Sequence, residues 1–266
     1  MSSTLDVKHL ATEIMNAYAN HTIIPSPSSR DASFDMSDAY AVESELVRFR
    51  QAQGRTTTGL KVGYANKAMW RALKLETLVW AHMYDDTVTF SSGGTASMSI
   101  APMTAPKIEP EIVLKVRKPV AGADPAAILA GVEWIAVGFE IIDCVFPEWQ
   151  FQPADFVAAY GLHAALVVGE PRAVTSDNIP ALVEQLPKFK LTLSRNGELV
   201  EEGSGRNSLR SPALCLGELA RVASLAPGDL VSSGTLTTPT LISGGEEWKA
   251  TLEGLDLQNL TLRLTP

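Results

Sequence analysis

Three glutamates stand where carboxylates are hardest to keep. In Lys107-Ile108-Glu109-Pro110-Glu111-Ile112-Val113-Leu114-Lys115-Val116 the alternation of Ile112, Leu114 and Val116 with their neighbours reads as a β-strand. Glu109 and Glu111 are two positions apart, so both carboxylates leave one face, with Cα atoms roughly 6.5 Å apart at about 3.3 Å per residue. Like charges side by side on a strand repel. A hard divalent cation removes that penalty and keeps positions open for water. The plainer alternative is a solvated strand edge, which Pro110 between the two acids would suit. The third acid, Glu140, interrupts the strongly apolar run 131–143. An isolated carboxylate buried there is costly unless it is paired with a cation or bound to a metal. An ion pair with Lys or Arg is the structural alternative.

These acids need strands to hold them, and the chain supplies many short ones. Residues 4–19 carry Leu5, Leu10, Ile14, Met15 and Tyr18 at near-helical spacing and read as an amphipathic helix. The Ser- and Pro-rich stretch 22–34 reads as a loop. A second helix, capped by Ser37 or Asp38, runs to Gln53-Gly54. Together they make an N-terminal helical arm, 1–56, ahead of a β-rich catalytic domain, 57–266. In that domain 58–62 predicts a short strand, 66–75 a helical segment, and 82–90 a turn followed by a strand. Residues 91–106 read as a mobile connection or lid. Asp124-Pro125 opens a helix, 144–156 is irregular, and 157–168 predicts a strand. A short helix covers 178–186. Asn196-Gly197 between apolar flanks predicts a hairpin, and 212–224 a helix. The last four strands fall near 229–233, 239–243, 246–253 and 257–264. This balance of elements gives an α+β class.

Composition narrows the partners. The 266 residues are 45% hydrophobic and 20% charged, an ordinary globular balance. A net charge of −8 without a basic stripe argues against nucleic acid. No run of 18 apolar residues exists, so no membrane partner is expected. Two cysteines, Cys144 and Cys215, and no basic-then-apolar start suggest reduced thiols in a cytoplasmic protein.

The ordered series Gly59-Leu60-Lys61-Val62-Gly63, Asn66-Lys67-Ala68-Met69, Pro106-Lys107-Ile108-Glu109-Pro110-Glu111-Ile112, Phe139-Glu140-Ile141-Ile142-Asp143 and Gly228-Asp229-Leu230-Val231-Ser232-Ser233-Gly234 resembles the fumarylacetoacetate hydrolase superfamily. The branch it is most similar to is that of the 2-oxopent-4-enoate hydratases and 4-oxalocrotonate decarboxylases. Asp38-Ala39-Tyr40-Ala41-Val42 is similar to the hydratases as well, and the likeness runs from about residue 24 to 264. It implies a rolled, mixed β-sandwich. It also implies Mg²⁺ or Mn²⁺ on Glu109, Glu111 and Glu140, and a small 2-oxo acid as substrate. A homodimer or higher homo-oligomer, possible association with a pathway partner enzyme, and a role in aromatic-type catabolism follow from the same likeness.

Lys61 matches the lysine of that family and would clamp the substrate carboxylate or pass a proton. Ser233 and Thr235, around Gly234, would approach the substrate carboxylate. Asp143 could stand behind the metal ligands, and Arg206 could orient an anion. The chain also departs from the pattern. His82 stands in Ala81-His82-Met83 where typical hydratases carry Asp. Ala159-Tyr160-Gly161-Leu162-His163 replaces Asp-Asn-Ala-Ser, and Ala65-Asn66 replaces Thr-Ser. Groups that steer water are therefore altered, which makes His82 and His163 candidate acid–base residues. The reading that follows is a hydratase of a 2-hydroxy-2,4-dienoate. A vinylogous decarboxylase, an acylpyruvate-type C–C hydrolase and a non-catalytic metal-binding partner are its alternatives.

Overall fold

The computed structural model describes residues 6–266. Residues 4 and 5, the expected start of the first helix, lie outside the described residues. Helix α1 (Val7–Ala19) is capped by Asp6, and a single turn, α2 (Pro27–Arg30), interrupts the Ser/Pro-rich loop. Helix α3 (Met36–Ala52) begins one residue earlier than Ser37. Asp35 caps it, and Asp38 reaches back to the Asp35 N–H in a reciprocal box.

Next come β1 (Thr57–Gly63), α4 (Lys67–Leu73), β2 (Val79–Tyr84), β3 (Val88–Phe90), β4 (Thr95–Ser99) and β5 (Lys107–Val116). The middle of the chain holds α5 (Pro125–Leu129), β6 (Val132–Ile142), α6 (Pro153–Ala158), β7 (His163–Val168), β8 (Arg172–Ala173) and α7 (Ile179–Gln185). The hairpin β9 (Lys190–Arg195) and β10 (Glu198–Ser204) follows, then α8 (Pro212–Val222). Four strands close the fold: β11 (Leu230–Ser232), β12 (Thr240–Leu241), β13 (Glu247–Glu253) and β14 (Leu260–Thr265).

Two stretches differ from expectation. The supposed lid at 91–106 contains β4, which pairs in parallel with β14 over five residues. Its backbone is secured by a partner more than 160 residues away, which local composition does not reveal. Residues 157–168 are not one strand. Val157 and Ala158 end α6, a left-handed turn covers 160–162, and only His163 onward is extended.

Two sheets stack. The first has the order β2-β1-β11-β5-β6-β7-β3, with β12 beside β5 and β8 beside β6. The second runs β10-β9-β13-β14-β4. The main core lies between them: Ile108, Ile112, Leu114, Val137, Phe139 and Ile141 of the first sheet meet Leu191, Leu193, Trp248, Ala250, Leu260 and Leu262 of the second. Because alternate residues of a strand face opposite ways, the other face of β5 and β6 carries Glu109, Glu111 and Glu140. That face is roofed by the helical arm together with residues 142–162. Ile14, Val42, Leu46, Phe146, Phe156 and Leu162 belong to that second apolar cluster.

Candidate metal centre and active site

The long antiparallel pairing of β5 with β6 sets Glu109 directly opposite Glu140, and Glu111 opposite Gly138. Ligand oxygens from the three glutamates all lie within 4.8 Å of one another. Two oxygens across one Mg²⁺ would be about 4.2 Å apart at about 2.1 Å per bond, so modest side-chain closure suffices. The edge alternative fails, since Glu111 and Glu140 are fully buried in an interior pair of strands and Glu109 is 8% exposed. Pro110 sits between the stretches of β5 paired with β12 and with β11, where no ladder partner asks for its missing N–H.

The donor set fits a hard cation. Glu111 Oε1 and Glu140 Oε2 are buried without a hydrogen-bond donor among the described residues. Orphaned buried acceptors are uncommon in folded proteins unless an ion or water claims them. The second oxygen of each of these two carboxylates is committed. Glu111 Oε2 accepts from Ser232 Oγ at 2.6 Å and from the Gly234 N–H at 2.8 Å. Glu140 Oε1 lies 2.8 Å from His163 Nδ1. Glu140 Oε2 is 2.9 Å from Lys61 Nζ, an ion pair off the angle of a hydrogen bond. Among the described residues these three glutamates form the one cluster of ligand type.

The electrostatics match an anionic nest awaiting positive charge. Burial pushes the Glu109 carboxyl up to about 7, with Glu140 adding to it and Lys61 and Lys107 opposing. Burial, Glu140 and Glu109 together hold Glu111 well above the ordinary glutamate range. Burial also penalises charged Glu140, but Lys61 and His163 outweigh it and keep that carboxyl low. Burial pulls Lys61 down, yet the three carboxylates more than compensate, so its ammonium is held firmly protonated.

Lys61 lies on β1 at the register of Ser232 on β11, with its side chain on the glutamate face and 1% exposed. Its Nζ stands 5.0 Å from the Phe156 ring centre. Beneath it runs the turn Tyr160-Gly161-Leu162, all at positive φ. A Cβ on Gly161 would lie 2.7 Å from Lys61 Cδ, so glycine there is what admits the lysine stem. Gly234, at φ +88°, turns its N–H to Glu111 in a conformation other residues rarely adopt.

A cavity of about 330 Å³ opens over this floor. Lys61, Glu109, Gly234 and Thr235 line its polar part, and Ile142, Phe151, Phe156 and Leu162 its apolar wall. Lys107 and Trp149 line it too. A larger groove of about 820 Å³ lies elsewhere, between α2, the start of α3 and residues 147–154, away from the glutamates. Of the aromatic residues suited to a substrate tail, Trp149 reaches the cavity. Trp70 is buried against Tyr64, Trp80 packs on Tyr40, and Phe146 is core.

The structure joins Lys61 to the three glutamates and separates several other candidates. Ser233 Oγ is buried without a partner and points away from the glutamate face. The neighbouring Ser232 hydroxyl is the one on Glu111. Strand alternation decides between adjacent serines, and Ser232 shares a face with Leu230 while Val231 faces the main core. Thr235 lines the cavity, although its hydroxyl is engaged with Thr237 O in its own turn.

His82 pairs across β2 with Leu60, so it faces away from Lys61. Its Nδ1 is 2.7 Å from Glu43 of α3, and it does not line the cavity. His163 also stays out of that cavity. Its ring is buried behind Glu140, with Nε2 2.9 Å from Thr87 Oγ1. Both nitrogens being engaged, the ring fixes Glu140 instead of meeting a substrate. Asp143 accepts from the N–H groups of Thr104, Ala105 and Cys144, which anchors the approach to β5. Arg206 is exposed.

The stacked sheets and the carboxylate cluster on the outward face of β5 and β6 define a class of metal-dependent enzyme. The chain belongs to the fumarylacetoacetate hydrolase family, whose C-terminal domain profile matches residues 60–262. Among characterised relatives it is 25% identical over 225 residues to 2-hydroxyhexa-2,4-dienoate hydratase of Comamonas testosteroni, covering 82% of this chain and 83% of that one. It is also 25% identical over 253 residues to 4-oxalocrotonate decarboxylase of Pseudomonas sp. (strain CF600), covering 92% of each. In fold it is similar to 4-oxalocrotonate decarboxylase of Pseudomonas putida G7, solved with magnesium and adipate. There the TM-score is 0.87 at 24% identity, over 99% of this chain and all of that one. No described helix is long and apolar enough to cross a membrane.

Proposed function

We propose that this chain is a divalent-metal-dependent hydratase that adds water to a 2-hydroxy-2,4-dienoate and yields a 4-hydroxy-2-oxo acid. One observation carries the reading: three buried glutamates, Glu111 with an orphaned oxygen and Glu140 ion-paired with a protonated lysine, stand at the floor of a ligand-sized cavity. The all-oxygen donor set of Glu109, Glu111 and Glu140 selects Mg²⁺ or Mn²⁺. Such an ion supplies Lewis-acid stabilisation of negative charge on the 2-oxygen of a keto acid.

The chain's own residues supply the rest. Hydration requires the dienol to ketonise, with the 2-hydroxyl proton lost and a proton gained at C5. Water then adds at C4 and a proton at C3, which balances the reaction. Lys61, an ammonium facing the cavity, is the group placed to hold the developing anion and to hand over a proton. Phe151, Phe156 and Leu162 keep the chain of the substrate out of bulk water. Ser232 and Gly234 fix Glu111, and His163 fixes Glu140.

Decarboxylation is the second reading, favoured by the full-length likeness to 4-oxalocrotonate decarboxylases. It would share the early dienolate chemistry. The test is Mg²⁺-dependent loss of dienol ultraviolet absorbance, followed with and without a CO₂ assay. Absorbance loss without CO₂ supports hydration. Stoichiometric CO₂ from a 2-oxo-3-enedioate sinks it in favour of the second reading.

A further inference from the structure

The chain carries a net charge of −8, and the 2-oxo acid proposed as its substrate is an anion. A field of that sign repels an anion at long range, so the local charge at the cavity opening matters. Three residues that line the cavity are exposed, Asn66, Met69 and Asn207, and they mark its mouth. Asn66 caps α4, Met69 lies in its first turn, and Asn207 ends the turn 205–207.

The two segments that form this mouth, 64–73 and 205–210, hold four cations, Lys67, Arg71, Arg206 and Arg210, and no acid. With 30 acids against 22 bases in the whole chain, such a patch is the reverse of what composition alone would place there. All four side chains belong to exposed residues, and none has an ion-pair partner among the described residues. Lys67 and Arg71 stand four residues apart on α4 and so share a face. Lys67 is partly answered by Glu218, a carboxylate already bound to Arg221 and Thr77.

Arg206 and Arg210 are fixed in place by their backbone. The Arg210 N–H donates to Arg206 O at 2.8 Å. The Leu209 N–H donates to Ala65 O at 2.9 Å, which stitches this loop to the residue before Asn66. Ser208 Oγ donates to Ser233 O at 2.6 Å. Leu209 and Arg210 both sit at positive φ, +45° and +70°. Glycine is the residue at ease there, and strained backbone persists where the surroundings impose it, often at ligand clamps. The position of Arg210 is therefore specified, while its guanidinium is left without a counter-ion.

We propose that Arg206 and Arg210, together with Arg71 and Lys67, form a cationic collar that captures the anionic 2-oxo acid and admits it to the cavity. The collar acts through its field and does not touch the reacting atoms. This rests on the reading of the glutamate centre as the anchor for the 2-oxo acid. Exposed charges act through water, so the effect is largest at low ionic strength and vanishes once salt screens it.

The test titrates 2-oxopentanoate, a saturated monoanion that cannot be hydrated, calorimetrically into the Mg²⁺-loaded protein. It is done at about 20 mM and at about 1 M ionic strength, where the Debye lengths are roughly 20 Å and 3 Å. The variant Arg206→Gln/Arg210→Gln is expected to bind about five- to tenfold more weakly than wild type at low salt, and equally at high salt. Arg206→Lys/Arg210→Lys, which keeps the charge, retains most of the low-salt affinity. Arg71→Gln, outside the strained loop, shows a smaller loss with the same salt dependence. Equal low-salt affinity of wild type and the double Gln variant overturns the proposal. So does a loss that persists at high salt or that the Lys pair shares, since either means a direct hydrogen bond or a disturbed loop. A wild type that binds 2-oxopentanoate at neither ionic strength, or equally well without Mg²⁺, overturns the glutamate-centre reading instead.

Discussion

At the scale of single residues, the site separates groups that meet a substrate from groups that hold those groups still. His163 is of the second kind. Its Nδ1–H reaches Glu140 and its Nε2 reaches Thr87, which leaves no nitrogen for the cavity. Donors behind a metal-binding carboxylate or imidazole commonly control affinity by about 10–100-fold. His163→Ala is therefore expected to weaken Mn²⁺ binding by that order in a direct titration, while saturating metal restores most of the turnover. Lost turnover at saturating metal, with unchanged Mn²⁺ affinity, would instead make the imidazole a proton carrier to substrate. Glu140 stood out in the sequence because its cost is local: a carboxylate in an apolar run demands an explanation wherever the chain goes. Glu109 and Glu111 stood out by their spacing on one strand face, and Lys61 only by its likeness to the family lysine. The partners of those glutamates were not legible. Whether Ser232 or Ser233 meets Glu111 depends on which residue of a three-residue strand faces outward, and a one-residue shift reverses it.

At the scale of elements, the β5–β6 register is the feature on which the metal centre depends, and the turn before β7 is the feature on which Lys61 depends. Of the first, the strand 107–116 was readable from its alternation and 131–143 stood out as an apolar run, but the register that sets Glu109 opposite Glu140 was not, because no local pattern says which residues of two strands face each other. The strands β2 and β4 were harder. Val79–Tyr84 is a strand where the sequence reading placed only the start of a turn, at residue 82, and Thr95–Ser99 is made of small and polar residues that become extended by pairing with β14. Tertiary pairing there overrides local propensity. The 160–162 turn was hidden for a related reason, because its non-glycine residues at positive φ are set by what packs around them. Gly161→Ala tests that packing. The new methyl would meet Lys61 Cδ at 2.7 Å and Ala81 Cβ at 2.9 Å. Overpacking of this sort costs about 1–3 kcal/mol, to be measured by urea unfolding. In a Lys61→Ala background the part owed to the lysine stem should vanish, so the two changes should couple in a double-mutant cycle. Strict additivity would mean that the lysine does not press on the turn.

At the scale of the whole molecule, a buried nest of carboxylates ties stability to pH and to metal in opposite senses. Without metal, Glu109 keeps its proton in the folded state up to about 7, against an ordinary value of 4.5. Between those values the unfolded chain has already lost that proton, so it binds fewer protons than the folded one. Stability then falls as pH rises through the window. Glu111, shifted the same way, adds to the slope. The lowered carboxyl of Glu140 acts below 4.5, and the raised ammonium of Lys61 acts above 10.5, so neither cancels it. A divalent ion needs the deprotonated ligands and reverses the trend, since its affinity grows as protons leave, and ligand-linked stabilisation grows with affinity. Thermal unfolding of the metal-free protein is therefore expected to move to lower temperature between pH 5 and pH 7.5, by roughly a few degrees for a change of about 1 kcal/mol. The upward shift produced by a fixed, millimolar Mg²⁺ concentration should be small at the acid end and several degrees larger at the neutral end. Glu109→Gln, which cannot ionise, should flatten the metal-free slope while weakening the response to Mg²⁺. A Mg²⁺ shift of equal size at both pH values would mean that the ion binds somewhere other than these three carboxylates.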